Sequence, residues 1–213
     1  MAGPNLTNHN PIICVQNRAN TAPLTGAWPE AATQSFKFGT PVQMNAAGYV
    51  KAWDGATIAN AILGIAESFG QNLASNGLGA PVAPFGGITG TGAIQTFGFV
   101  PNEPNAVNIA LGTPIADGRT LFIEANLDNV FEAQCDNSAG VNAASWTPTQ
   151  TTFAPGSNQF GMTVDANGFW YIDFNKTGGA AILEVVGVNS LDGLIANARL
   201  RFKFLVASVQ NLG

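Results

Sequence analysis

Few side chains in this sequence are equipped for acid–base or nucleophilic chemistry: one His, two Cys, and 13 acidic against 8 basic residues in 213. His9 is the sole imidazole, and its neighbours Asn8 and Asn10 are amides, so a Ser–His–Asp or Cys–His arrangement has no general base in a promising setting. Cys14 and Cys135 are too few for a disulfide scaffold and read as reduced, partly buried thiols; with a single His they also lack the ligand spacing of a zinc site. Gly90-Thr91-Gly92 opens like a dinucleotide loop, but Gln95 stands where the third glycine belongs. Paired carboxylates are the remaining catalytic option. Glu124, Asp128, Glu132, Asp136, Asp165 and Asp173 lie between Arg119 and Lys176 with no basic residue among them. They read as a solvated acidic face or an acidic docking surface in preference to an acid pair or a Ca²⁺ site. Asp165-Ala166-Asn167-Gly168 starts like a Ca²⁺ loop but lacks the distal Glu, and is expected to be a hairpin turn. The residues point to no catalysis, no metal and no cofactor.

The chain closes on the opposite charge pattern. Arg199, Arg201 and Lys203 alternate with Leu200, Phe202 and Phe204, which on a strand places three cations on one face and three large apolar groups on the other. Such a strand is either an edge guarded by cations or a docking face for an acidic neighbour, the 124–136 segment of another copy included.

The elements that must position these residues are strands. Charged residues make up 10% of the chain, against roughly 25% in an average soluble domain, while hydrophobic residues make up 46%. The 25 Gly and 12 Pro punctuate many short elements, and no segment sustains amphipathic helical periodicity. The expected fold is all-β, a barrel or sandwich of short antiparallel strands. Residues 1–35, rich in Asn and Pro, are expected to form an extended N-terminal arm that orders against a partner, with Ile12, Ile13 and Trp28 as contacts. Residues 36–213 form the β domain, either single or split into subdomains 36–118 and 119–213. Strands are expected on either side of the turn Gly39-Thr40-Pro41, from Ala61 to Glu67, from Ile94 to Val100, and at 121–125, 130–135, 181–188 and 198–206. The clearest hairpin is Phe160 to Phe174, and the charge-free, Gly-rich stretch 70–92 is expected to be a long loop. Phe38-Gly39-Thr40-Pro41-Val42 is echoed by Leu111-Gly112-Thr113-Pro114-Ile115, read as two independent strand-entry turns.

A net charge of −5 would repel a phosphate backbone, which argues against nucleic-acid binding. No apolar run is long enough for a membrane-spanning helix, and residues 1–10 lack the basic stretch and apolar core of a secretory signal.

Three short motifs in fixed order carry a resemblance. Gly39-Thr40-Pro41-Val42, Gly48-Tyr49-Val50-Lys51-Ala52-Trp53 and Ile62-Leu63-Gly64-Ile65-Ala66-Glu67 resemble the opening of the capsid decoration, or cement, proteins of tailed bacteriophages. Val130-Phe131-Glu132-Ala133-Gln134, Leu183-Glu184-Val185-Val186-Gly187-Val188 with Asp192, and Arg199-Leu200-Arg201-Phe202 are similar to the closing strands of related head proteins. The resemblance covers about half the chain and implies a β-barrel-like fold and no catalysis. It also implies binding to the major capsid protein on the outside of the virion, as trimers or other small oligomers, by a protein made in the host cytoplasm. The arm would reach over a neighbouring subunit. Independently, a surface poor in Lys and rich in Asn, Thr, Ala and Gly suits close packing against neighbours. The competing reading is a carbohydrate- or receptor-binding β module in which Trp146, Trp170 and Tyr171 stack on sugar rings.

Overall fold

The computed structural model describes residues 9–17, 22–31, 34, 36–68, 70, 119–126, 128–138 and 147–210. Eleven strands run through them: β1 (Ile13–Asn17), β2 (Thr25–Pro29), β3 (Pro41–Met44), β4 (Val50–Ala52), β5 (Gly64–Ala66), β6 (Arg119–Glu124), β7 (Asn129–Asp136), β8 (Gln159–Val164), β9 (Trp170–Asp173), β10 (Leu183–Val188) and β11 (Arg199–Phe204). Among the described residues the only helical turns are short 3-10 turns at Gln150–Phe153, Gly178–Ala180 and Val206–Ser208, so the all-β expectation holds.

The strands β7, β11, β10, β8 and β9 pair in that order, and β9 returns to β7, closing a five-stranded barrel. The closure is short and parallel, Cys135 opposite Ile172 and Asp136 opposite Asp173, where only antiparallel pairing was expected. Glu132 pairs with Ile13 on one side and Arg201 on the other, so β1 and β9 share the edge of β7 that faces away from β11. The chain before β1 continues into that seam. The Asn10 N–H donates to the Gln134 side-chain oxygen at 2.6 Å, and Ile12 is fully buried in the barrel core.

A free arm over residues 1–35 is therefore not what the described residues form. Residues 13–17 and 25–29 are strands of the body, β1 on β7 and β2 on β6. The apolar run Ile12-Ile13-Cys14-Val15 finds its partner within the same chain, because β7 has an unfilled edge beside its short pairing with β9.

The second sheet has the order β2, β6, β5, β3, β4, all antiparallel, with a bridge from Glu30 to Val50 bringing the end of β2 against β4. Alternation along β5 and β6 buries both faces. Ile65 and Ile123 join the barrel core, while Ala66 and Phe122 join a smaller core with Phe36, Val42, Val50 and Leu63. Gly64 allows the closest approach: a Cβ there would stand 2.2 Å from the Ile123 carbonyl oxygen. Since β6 opens the 119–213 half yet pairs with β5 and β2, the hydrogen-bonded sheet crosses the 118/119 boundary.

The alternation at Phe36 and Phe38 does not make a strand. Phe36 is drawn into the smaller core, its carbonyl accepting from Gly70, and the chain turns at Phe38-Gly39 before entering β3. The hairpin at 160–174 forms as expected, β8 and β9 joined by the turn 165–168 with Gly168 at φ +83°. The stretch 71–92, the expected strand at 94–100 and the echo at 111–115 lie outside the described residues.

Candidate functional site

The outer face of the barrel where β7, β11 and the β10–β11 loop meet carries a compact charge network. Glu132, buried on β7, is bonded at both oxygens by the Asn189 side-chain amide, at 3.1 and 3.0 Å. The Arg199 and Arg201 guanidiniums lie 3.6 and 3.8 Å from it. Arg199 also grips Asp192, Nε to Oδ2 and a terminal nitrogen to Oδ1, both at 2.8 Å, while its backbone N–H donates to the same carboxylate. The Arg199 hydrogen bonds hold Asp192 below the ordinary carboxylate range, and the pair raises Arg199 in return.

These bonds fix the loop 189–198. The Asn189 side chain accepts from the Leu191 N–H, and the Asn189 carbonyl accepts from Asp192 and Gly193. Gly193 and Asn197 supply the left-handed backbone that closes it, at φ +66° and +58°. What this scaffold presents to solvent is aliphatic. Leu191 is 87% exposed, with Leu194, Ile195 and the bulged Val186 also outward. These exposed aliphatic side chains, carried as a knob on a hydrogen-bonded loop, are apolar surface that burial against another macromolecule would stabilise.

A second polar cluster sits at the seam. His9 is 6% exposed, its ring stacked on Tyr171 with centroids 4.4 Å apart. Its Nδ1 lies 3.1 Å from Asp165 Oδ2, and its Nε2 lies 3.0 Å from Asp136 Oδ2, an ion-pair contact off the axis of the ring N–H. Asp165 Oδ1 meanwhile accepts the Asn167 and Phe169 N–H groups that close the β8–β9 turn. Burial acts to raise Asp165, but the bonds from Phe169, His9 and Asn167 outweigh it and hold the group low. Burial, then the charges of Asp173 and Asp136, push the Tyr171 phenol up to about 12. Behind them Asp173 is buried and accepts from Thr163 at 2.6 Å and from the Ser138 and Asn175 backbones.

The six residues expected as contacts are placed unequally. Ile12 is inside the barrel. Ile13 is half-exposed and shares a cross-strand row with Glu132 and Arg201, so the structure brings Ile13, Arg201 and Arg199 to one face. Lys203 stands opposite Glu184 on β10. Trp28, 40% exposed, lies on the separate sheet at its β2 edge. β11 pairs with β7 on one side and β10 on the other, so it is not the cation-guarded edge that was one of the two expectations. Arg199 and Arg201 meet Glu132 of their own chain, where the other expectation was an acidic neighbour. Trp170 and Tyr171 are buried against Trp53 and His9 and offer no ring face to a sugar; Trp146 lies outside the described residues.

Sequence reasoning missed the knob and the His9 cluster. The signal for the knob was present, since Leu191, Leu194 and Ile195 are aliphatic residues set among the turn formers Asn189, Ser190, Asp192 and Gly193. Among the described residues no group of three or more His, Cys, Asp or Glu is placed to hold a metal, and no helix is long and apolar enough to cross a membrane. No protein-family model, curated protein or solved structure matches the chain.

Proposed function

We propose that this chain is a structural, non-catalytic protein of a tailed-phage head, seated on the outside of the capsid, where it stabilises the shell by bridging major capsid protein subunits as a trimer or other small oligomer. The observation that supports this reading best is the aliphatic knob at 189–198, held by Glu132, Arg199 and Asp192 and exposed on a surface with few charges. A preorganised apolar anchor loses little conformational entropy on docking, and fully burying one Leu contributes about 1.5 to 3 kcal/mol. The barrel supplies rigidity, and a surface sparing in Lys avoids the desolvation and rotamer costs that oppose close packing.

Co-sedimentation with phage heads prepared without this protein tests the proposal. The wild-type chain should pellet with the heads. Replacing Leu191 and Leu194 together by Asp should weaken binding about 100-fold, the loss of roughly 3 kcal/mol of apolar burial. Both side chains are exposed, so the folded chain should melt at an unchanged temperature. Failure of the wild-type chain to bind heads, or equal binding by the double variant, would overturn the reading.

A further inference from the structure

Among the described residues, every strand of the barrel sheet except β1 has neighbours on both sides; β1 pairs with β7 alone. The backbone N–H and C=O groups along such an edge are a template for another extended chain, and proteins ordinarily guard it with Lys, with Pro or with inward-pointing charge. Ile13-Cys14-Val15-Gln16-Asn17 carries none of these, and residues 10–17 contain no charged side chain. The one irregularity is the bulge between Cys14 and Gln16, which leaves Val15 without a counterpart on β7. Ile13 and Val15 are 43% and 37% exposed and Gln16 is exposed as well, whereas Cys14 packs on the barrel core. Glu132, in register with Ile13, is matched by Arg199 and Arg201, so the acid beside the edge is neutralised within the chain. β2, at the edge of the second sheet, differs: it ends in Pro29, and Glu30 beyond it bridges to Val50 of β4.

We propose that β1 is a self-pairing edge through which two copies of this chain associate, strand against strand and antiparallel, about a two-fold axis at Cys14. This register sets Ile13 of each copy opposite Val15 of the other, the two large apolar side chains that the edge leaves exposed. A two-fold contact requires a surface that matches itself. An edge bearing Lys or Glu would bring like charges together near the axis, whereas a charge-free edge lets two chains that each carry a net charge of −5 approach without that repulsion. The matched apolar pair on either side of the axis favours a second copy over an unrelated extended peptide, which would need two apolar groups of its own at this spacing. The pairing joins β7 and β1 of one copy to β1 and β7 of the other in one continuous sheet, and neither barrel has to open. A contact built on a strand of five residues falls in the small class of interfaces, below about 1,200 Å², so the dimer is weak, with a dissociation constant of about 1 to 100 μM.

This inference does not rest on capsid binding, and its test uses the full chain alone. Sedimentation equilibrium from about 1 to about 500 μM should show the wild-type chain passing from monomer to dimer. Ile13→Lys with Val15→Lys puts Lys opposite Lys in this register and should weaken association about 100-fold or more, with little change in melting temperature because both positions are exposed. Ile13→Glu with Val15→Glu should be equally monomeric. Mixing the Lys and Glu variants should restore a one-to-one dimer, a result that misfolding of either variant could not give. Leu191→Asp with Leu194→Asp should associate like the wild type, because the knob takes no part in this contact. A wild-type chain that stays monomeric throughout, a Lys variant that associates as the wild type does, a Lys and Glu mixture that stays monomeric, or loss of association in the Leu191 and Leu194 variant would each overturn the proposal.

Discussion

Arg199 grips Asp192 through two parallel hydrogen bonds of 2.8 Å across the neck of the loop that carries Leu191. Both residues are partly exposed, so the pair contributes little to global stability, about 1 kcal/mol or less. Its effect is to hold the exposed aliphatic side chains in one arrangement. Arg199→Gln should therefore lower the stability of the chain by no more than about 1 kcal/mol in urea unfolding, yet weaken binding to heads about tenfold by leaving the knob disordered. Equal binding by this variant and the wild-type chain would show that loop order plays no part in attachment.

Ile12 tests whether the N-terminal segment belongs to the body. It is completely buried among barrel residues although it lies only three positions from His9. Ile12→Ala should cost about 2 to 4 kcal/mol in urea denaturation, the range for removing a large aliphatic group from a packed core. Ile13→Ala, half-exposed next door, should cost well under about 1 kcal/mol. Similar, small losses at both positions would mean that residues 9–17 hang off the fold as a separable arm.

How much of this was legible follows from how local each signal is. The alternation at 199–204 reads directly as β11, since a half-buried strand writes its period into neighbouring residues, while 121–125 and 130–135, buried on both faces, read as β6 and β7 from their short apolar and β-branched or aromatic runs. Asp165-Ala166-Asn167-Gly168 reads as a turn for the same reason. His9 beside Asp136 and Asp165 could not be read, because those contacts join residues 127 and 156 positions apart through a seam that exists only once the barrel closes. The parallel pairing of β7 with β9 leaves no sequence mark, and it decides where residues 9–17 go. Phe36 misled because its alternation with Lys37 and Phe38 is real, but a second core lies within reach and takes the ring out of register for a strand. Arg199 and Arg201 were correctly set on one face of β11, but the strand was read as an edge or as a docking face for an acidic neighbour, whereas β11 lies between β7 and β10 and its register on β7 supplies Glu132 within the chain.

Acid stability should break late. Asp54 is fully depressed to about 2: partial burial acts to raise it, but the Thr57 and Ala56 N–H groups and the Thr57 hydroxyl overcome that. Asp165 and Asp192 are lowered as well. A carboxylate lower in the folded than in the unfolded chain stabilises above its unfolded value, near about 4, and that stability is lost as pH falls through its folded value. The melting temperature should stay level down to about pH 4.5 from about pH 5.5 and then drop steadily toward about pH 2, with a shallower drop in Asp54→Asn. A melting temperature unchanged down to about pH 2 would contradict this assignment.

Gly64 tests the joint between β5 and β6. A methyl group there would stand 2.2 Å from the Ile123 carbonyl oxygen and 2.7 Å from the Phe122 ring, so the two strands would have to separate. Gly64→Ala should destabilise the chain by about 2 to 3 kcal/mol, measured by urea unfolding. Gly48→Ala has open space for the same methyl group and a positive φ, so its cost is confined to backbone strain of about 1 to 2 kcal/mol. A neutral Gly64→Ala would mean that the second sheet is more loosely joined than its register implies.

On the proposed function, apolar packing and not charge would attach this protein to a phage head. With 10% charged residues, and with Arg199 and Arg201 already turned to acids of their own chain, little is left for electrostatic attachment. Exposed ion pairs contribute about 0 to 1 kcal/mol and are screened within about 8 Å at physiological ionic strength, whereas apolar burial is unaffected or strengthened by salt. The deciding measurement is the affinity of the wild-type chain for heads lacking it, across NaCl from about 50 mM to about 1 M. The account predicts a change of less than about tenfold over that range; a loss of several orders of magnitude would show that charge holds the protein in place.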